Sequence, residues 1–126
     1  MDFAYFSERE LACTCCGQQR MQEAFMQRLL GLRLAFAQAM PLASAYRCPR
    51  HNQAVSTTGD SGPHTLGRAV DVRVYGPAAL RLIPLALTHG FTGIGVAQRG
   101  PQASRYLHLD DLGNAGNQPR PWVWSY

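Results

Sequence analysis

The stretch 20–40 constrains the fold of this chain more than any other. Met21, Phe25, Leu29, Leu32 and Phe36 recur at steps of three and four residues, which puts them on one face of a helix, and Pro41 stops it. In so short a chain a Met and Phe stripe at helical spacing packs inward, so this is read as the principal core helix and not as a binding groove. The 126 residues suit one compact domain spanning 1–126, and 46% hydrophobic content supports a core that folds alone.

The other elements are shorter. Ser7 and Glu10 have capping-box spacing, which predicts a brief helix ending at the cysteines and Gly17. Residues 42–46 read as a buried strand, residues 47–52 as a turn into a second brief helix, and residues 56–63 as a polar, glycine-rich loop that delivers the chain to His64. Val70, Val72 and Val74 alternate with Asp71 and Arg73, predicting a half-buried strand with Asp71 opposite the valines. Pro77 opens an apolar helix through Leu80, Ile83 and Leu87 that Gly90 ends, with Pro84 predicting a kink or a second start. Strands at 92–97 and 105–110 follow, and the tail at 119–124 reads as an extended segment packed on the sheet. Without a regular βαβ rhythm the expectation is an α+β domain: a mainly antiparallel sheet flanked by helices.

The formal net charge of +4 comes from isolated arginines with no dense basic stripe, so nucleic acid is not an expected partner. Such dispersed charge suits an anionic polymer such as a bacterial wall, or ordinary solubility. No run reaches the roughly 18 apolar residues of a membrane span, and the opening residues show no leader, so neither an anchor nor a signal peptide is expected. With no repeat or heptad, a monomer is expected. Cys13, Cys15, Cys16 and Cys48 leave three schemes open: a disulfide from the cluster to Cys48, a structural zinc on three or four thiols, or reduced thiols in the core. Read as Cys-x-Cys-Cys without the two-residue gap of a zinc knuckle, the spacing favours the disulfide.

His64 and Asp71 stand seven apart, and Gly67 between them can bend the backbone so that a loop imidazole and a strand carboxylate converge. If His108 on a later strand joins them, two imidazole nitrogens and a carboxylate oxygen make a zinc site with an open fourth position, the layout of a catalytic metal. A His and an Asp at this spacing also occur by chance, and a lone strand histidine is usually structural.

The run His64-Thr65-Leu66-Gly67-Arg68-Ala69-Val70-Asp71 resembles the His-x-x-Gly-x-Ala-x-Asp motif of the zinc D-alanyl-D-alanine carboxypeptidase family, which includes murein endopeptidases and phage endolysins; the hedgehog signalling domain is similar there. Ala45-Tyr46-Arg47-Cys48-Pro49-Arg50-His51-Asn52, Gly93-Ile94-Gly95-Val96 and Tyr106-Leu107-His108-Leu109-Asp110 resemble further segments of that family in the same order, and the opening is similar to its phage and prophage branch.

The resemblance implies the family's fold, zinc on His64, Asp71 and His108, and Arg47 holding a substrate carboxylate or the developing oxyanion, a task suited to a permanently charged fork of donors. It implies hydrolysis of peptides in peptidoglycan at the bacterial wall or periplasm, by a carboxypeptidase or endopeptidase, with a phage or prophage lytic role. Several branches carry a Glu or Asp three residues before the last ligand, where this chain has Arg105, which cannot accept a proton. Strand alternation turns Tyr106, His108 and Asp110 to one face, so Asp110 is the expected general base or else the residue that orients a ligand imidazole, and Asp111 points away. Tyr106 can donate to the oxyanion or pack in the core. The rival readings are a noncatalytic zinc-bearing binding domain and a dipeptidase acting on free D-Ala-D-Ala.

Overall fold

The computed structural model describes residues 5–126; residues 1–4, part of the opening read for a leader, lie outside them. In chain order the elements are α1 (Glu8–Leu11), α2 (Glu23–Phe36), β1 (Leu42–Ser44), α3 (Pro49–Val55), β2 (Ala69–Val72), α4 (Gly76–Thr88), β3 (Gly93–Ala97), β4 (Tyr106–Asp110) and β5 (Trp122–Ser125), with a 3-10 turn at Gln102–Ser104. The strands form one sheet in the order β1-β2-β4-β3-β5, antiparallel except for the parallel pair β3–β5. This is the expected α+β architecture, with the tail supplying an edge strand. Among the described residues no helix is long and apolar enough to cross a membrane.

Alternation divides the sheet into two chemically different faces. Val70 and Val72 of β2, Leu107 and Leu109 of β4 and Ile94 of β3 join Phe25, Met26, Leu29, Leu32 and Phe36 of α2 and Leu82 and Ala86 of α4 in one apolar core. Pairing register puts Asp71 beside His108, and His108 beside Gly95, on the opposite face. All four residues of β2 are buried, so the strand is not half-buried as its alternation suggests. The reason is tertiary: the segment carrying Arg47 and His64 covers the polar face.

α1 opens with the predicted capping box, Ser7 Oγ accepting the Glu10 N–H at 3.1 Å and Glu10 accepting the Ser7 N–H at 3.2 Å. It ends at Leu11, before the cysteines. α2 buries Phe25, Leu29, Leu32 and Phe36 of the predicted stripe and Met26 as well, while Met21 lies before the helix and is partly buried; the helix stops at Ala37 in the left-handed conformation (φ 60°), short of Pro41. The face of α4 is the larger correction. Leu80 and Leu87 are exposed, at 73% and 52%, while Ala79, Leu82 and Ala86 are buried. Small residues let the helix lie close to its neighbours, which leucine periodicity alone does not reveal. α4 runs on through Pro84, which lies on the exposed side of the helix.

Candidate metal centre

The loop after α3 brings His64 over the polar face of β2. Gly67 makes the bend: its φ of +70° is left-handed, its carbonyl accepts the Gln22 N–H at 2.9 Å, and a Cβ there would run into the Arg20 carbonyl. His64 Nδ1 donates to the Ala45 carbonyl at 2.7 Å, which turns Nε2 toward Asp71 Oδ1 at 3.3 Å. His108 is oriented in the opposite sense. Its Nε2 donates to Asp110 Oδ2 at 2.7 Å, and its Nδ1 faces the same Asp71 Oδ1 at 3.2 Å.

His64, Asp71 and His108 are therefore brought together, each buried, with one ligand atom apiece inside a span of 4.8 Å. A tetrahedral zinc with bonds of about 2.0–2.1 Å sets neighbouring ligand atoms about 3.3 Å apart, which is the spacing from Asp71 Oδ1 to each imidazole. The hydrogen bond on the far side of each ring holds the proton away from the ligand lone pair. Burial disfavours ionisation of Asp71, but His108 and His64, when protonated also on the nitrogens that face it, outweigh burial and hold its carboxyl well below the ordinary range. Burial lowers His64; at His108 the hydrogen bonds to Asp110 and Asp71 overcome burial and raise the imidazole.

Arg47 lies beside this cluster. Its Nη2 pairs with Asp71 Oδ2 at 3.0 Å, its Nε donates to Ser44 Oγ at 3.0 Å and its Nη1 to Asn52 Oδ1 at 3.3 Å. Asn52, buried on α3, donates in turn to Thr58 Oγ1 and the Gly59 carbonyl, both at 2.7 Å, and so ties the guanidinium to the loop before His64. Neither Ser44 nor Asn52 has a role in the sequence reading, although Asn52 stands in the segment that carries Arg47.

Asp110 is fully buried on the same face as His108 and Tyr106, as alternation predicts, and Asp111 turns away to Arg68 at 2.8 Å. Both oxygens of Asp110 are gripped by Arg120, Nε to Oδ1 at 2.9 Å and Nη2 to Oδ2 at 2.8 Å. Burial would raise this carboxyl, but the hydrogen bonds from His108 and Arg120 hold it at about 2. Gly93 and Gly95 make room for the arrangement. A Cβ at Gly93 would strike the Asp110–Arg120 pair, and one at Gly95 would come within 2.7 Å of the Trp124 indole nitrogen. Trp124 of β5 packs on His108 with ring centroids 5.0 Å apart. No motif announces Arg120 or Trp124, because they reach the site through the pairing of the tail with β3. Arg105 bonds the Gly100 carbonyl at 3.0 Å.

The cysteine reading needs correction. All four cysteines are free thiols. Cys13 and Cys16 in fact have two residues between them and are followed by Gly17, a gap legible in the sequence but hidden by the intervening Cys15.

A comparison with the curated proteins finds no match. A profile of the family described as Peptidase M15 matches residues 4–110, which takes in both histidines and the aspartate of the centre and ends at Asp110. With most of its length matched, this chain belongs to the Peptidase M15 family, whose members are metal-dependent peptidases.

Proposed function

We propose that the protein is a zinc peptidase that hydrolyses peptide bonds of peptidoglycan stem peptides or crosslinks, as a carboxypeptidase or endopeptidase acting at the bacterial wall in a phage or prophage lytic role. The observation that carries the zinc chemistry is the convergence of His64 Nε2 and His108 Nδ1 on Asp71 Oδ1, each proton held on the far ring nitrogen. Three such ligands suit a catalytic rather than a closed structural zinc. Zinc held there supplies a water acidified toward a pKa of about 7 and polarisation of the scissile carbonyl.

Arg47 fixes the unused side of the Asp71 carboxylate. Of its five N–H donors three are engaged, which leaves two to receive a substrate carboxylate or developing oxyanion. Tyr106 and Tyr126 pack on each other with ring centroids 5.4 Å apart and hydrogen-bond each other. For Asp110 the support lies with orientation rather than with proton transfer. A carboxylate without solvent access, both oxygens taken and its pKa at about 2, holds the His108 ring and is a poor proton acceptor.

That engagement of Asp110, together with Arg105 in the pre-ligand position, favours a second reading: a zinc-bearing binding domain without turnover. Purified sacculi incubated with the metal-loaded protein and with its His108→Ala variant separate the two. Metal-dependent release of amines, lost in the variant, with fragments identified by mass spectrometry, supports the peptidase and names the bond. Zinc binding without release from sacculi or from free D-Ala-D-Ala supports the binding domain.

A further inference from the structure

The catalytic face leaves unexplained a second concentration of metal-ligating atoms on the other side of Arg47. We propose that Cys13, Cys16 and Cys48, with Cys15 as fourth ligand, form a structural zinc centre that clips the N-terminal segment to the turn carrying Arg47.

The sulfurs of Cys13, Cys16 and Cys48 lie within 4.8 Å of one another. A tetrahedral zinc with Zn–S bonds of about 2.3 Å spaces its sulfurs about 3.8 Å apart, so small side-chain rotations close the three around one ion. The backbone has the form of a knuckle. Cys13-Thr14-Cys15-Cys16-Gly17 turns sharply, with Gly17 at φ +75° and its N–H on the Cys13 carbonyl at 2.8 Å, while the Cys13 N–H reaches the Gln18 carbonyl at 2.8 Å. Inside the turn, backbone N–H groups of Cys48, Cys16 and Cys15 point at Cys13 Sγ, the first at 3.4 Å. A closed structural site needs a fourth protein ligand. Cys15 stands outside the group of three sulfurs but between Cys13 and Cys16 in the same turn, and its exposed side chain is the one that turns in to complete the shell.

The placement explains what the centre is for. α1 has only four residues and cannot hold itself together, so the segment it belongs to must be tied down from outside. Two ties cross between this segment and the turn after β1: the Tyr46 N–H on the Leu11 carbonyl at 3.2 Å, and the cysteines on either side. Cys48 is the next residue after Arg47, so an ion on these sulfurs fixes the backbone that aims the guanidinium at Asp71.

Elemental analysis of protein purified in zinc, beside its His108→Ala and Cys13→Ser/Cys48→Ser variants, tests the assignment independently of the peptidase reading. The wild type is expected to hold one zinc equivalent more than His108→Ala, which still keeps its thiol-bound ion, and the cysteine variant is expected to lose one equivalent. Cobalt exchanged into His108→Ala should give an intense near-ultraviolet sulfur-to-metal band that is missing from the cysteine variant. If that variant does not fold, the wild type answers alone: its cysteines should resist alkylation until a strong chelator is added. No zinc in His108→Ala, cysteines alkylated equally fast with and without chelator, or an intact mass that shows the thiol hydrogens lost to disulfides overturns the proposal.

Discussion

Arg120 holds Asp110 through two parallel hydrogen bonds, at 2.9 and 2.8 Å, and that same carboxylate receives the Nε2–H of His108 at 2.7 Å. A residue ten positions past the last matched one thus sets the orientation of His108, a ligand in the proposed zinc site. Removing the cation leaves the buried carboxylate with only the N–H groups of His108 and Leu112 as partners, so Arg120→Ala is expected to lose about 3–5 kcal/mol of stability. Urea denaturation measures it, and a loss below about 1 kcal/mol would mean that water reaches Asp110.

Asp110→Asn distinguishes positioning from proton transfer. With the carboxylate gone, zinc affinity should fall about 10–100-fold while turnover at saturating zinc survives. Chelator competition and a rate measured at high zinc report the two quantities separately; normal affinity with abolished turnover would restore Asp110 as the base.

Acid should destabilise the metal-free protein in a defined window. The Asp110 pKa is about 2 in the fold against about 3.9 in an unfolded chain, so its contribution of about 2 kcal/mol is present above pH ~4 and is lost as pH falls through about 2. Asp71 is also depressed and acts in the same direction. The imidazoles oppose each other. His108, raised, stabilises the fold below its unfolded pKa and loses that effect as pH rises through its folded value, whereas His64, lowered, adds stability as pH rises past the unfolded value. Denaturation of chelated protein across this range should show the carboxylate limb clearly and only a shallow change near neutrality.

Gly95→Ala inserts a Cβ 2.7 Å from the Trp124 indole nitrogen and 3.0 Å from the His108 Cβ, both in rigid surroundings. Overpacking of this kind costs about 1–3 kcal/mol, and the displaced ring should weaken zinc binding as well. Gly113→Ala, where a Cβ meets nothing within 4 Å, is the control and should stay within about 0.5 kcal/mol of wild type.

The orientation of α4 predicts unequal leucines. Leu82→Ala, fully buried, should lose about 2–5 kcal/mol, and Leu80→Ala, 73% exposed, less than about 0.5 kcal/mol. Equal losses in thermal melts would mean that the leucine face of the helix is covered after all.

How much of this was legible beforehand depended on the range of the interaction. The capping box at Ser7 and Glu10, the α2 stripe from Phe25 to Phe36 and the opposed faces of β2 and β4 follow from local spacing, and the structure carries them; Met21, at the head of the stripe, lies before the helix. The α4 face was misread because leucines occur on both sides of that helix and alanines, not leucines, mark the close approach. The cysteine gap was present in the sequence and masked by a third cysteine.

By itself the sequence determined which residues of one strand point to one side: successive side chains alternate, so Asp71 had to oppose the valines of its strand, and His108 and Asp110 the leucines of theirs, while the pairing of the two strands brings them to one face. It also placed at position 67 a glycine able to bend the backbone between His64 and Asp71, a freedom the fold uses at φ +70°. Only the tertiary structure decided which nitrogen of each histidine is free, which cation holds Asp110 and that Asn52 supports Arg47. Those choices are made by partners such as the Ala45 carbonyl, Arg120 and Asn52 itself, and it is strand order and loop path, not spacing along the chain, that bring them within hydrogen-bonding distance.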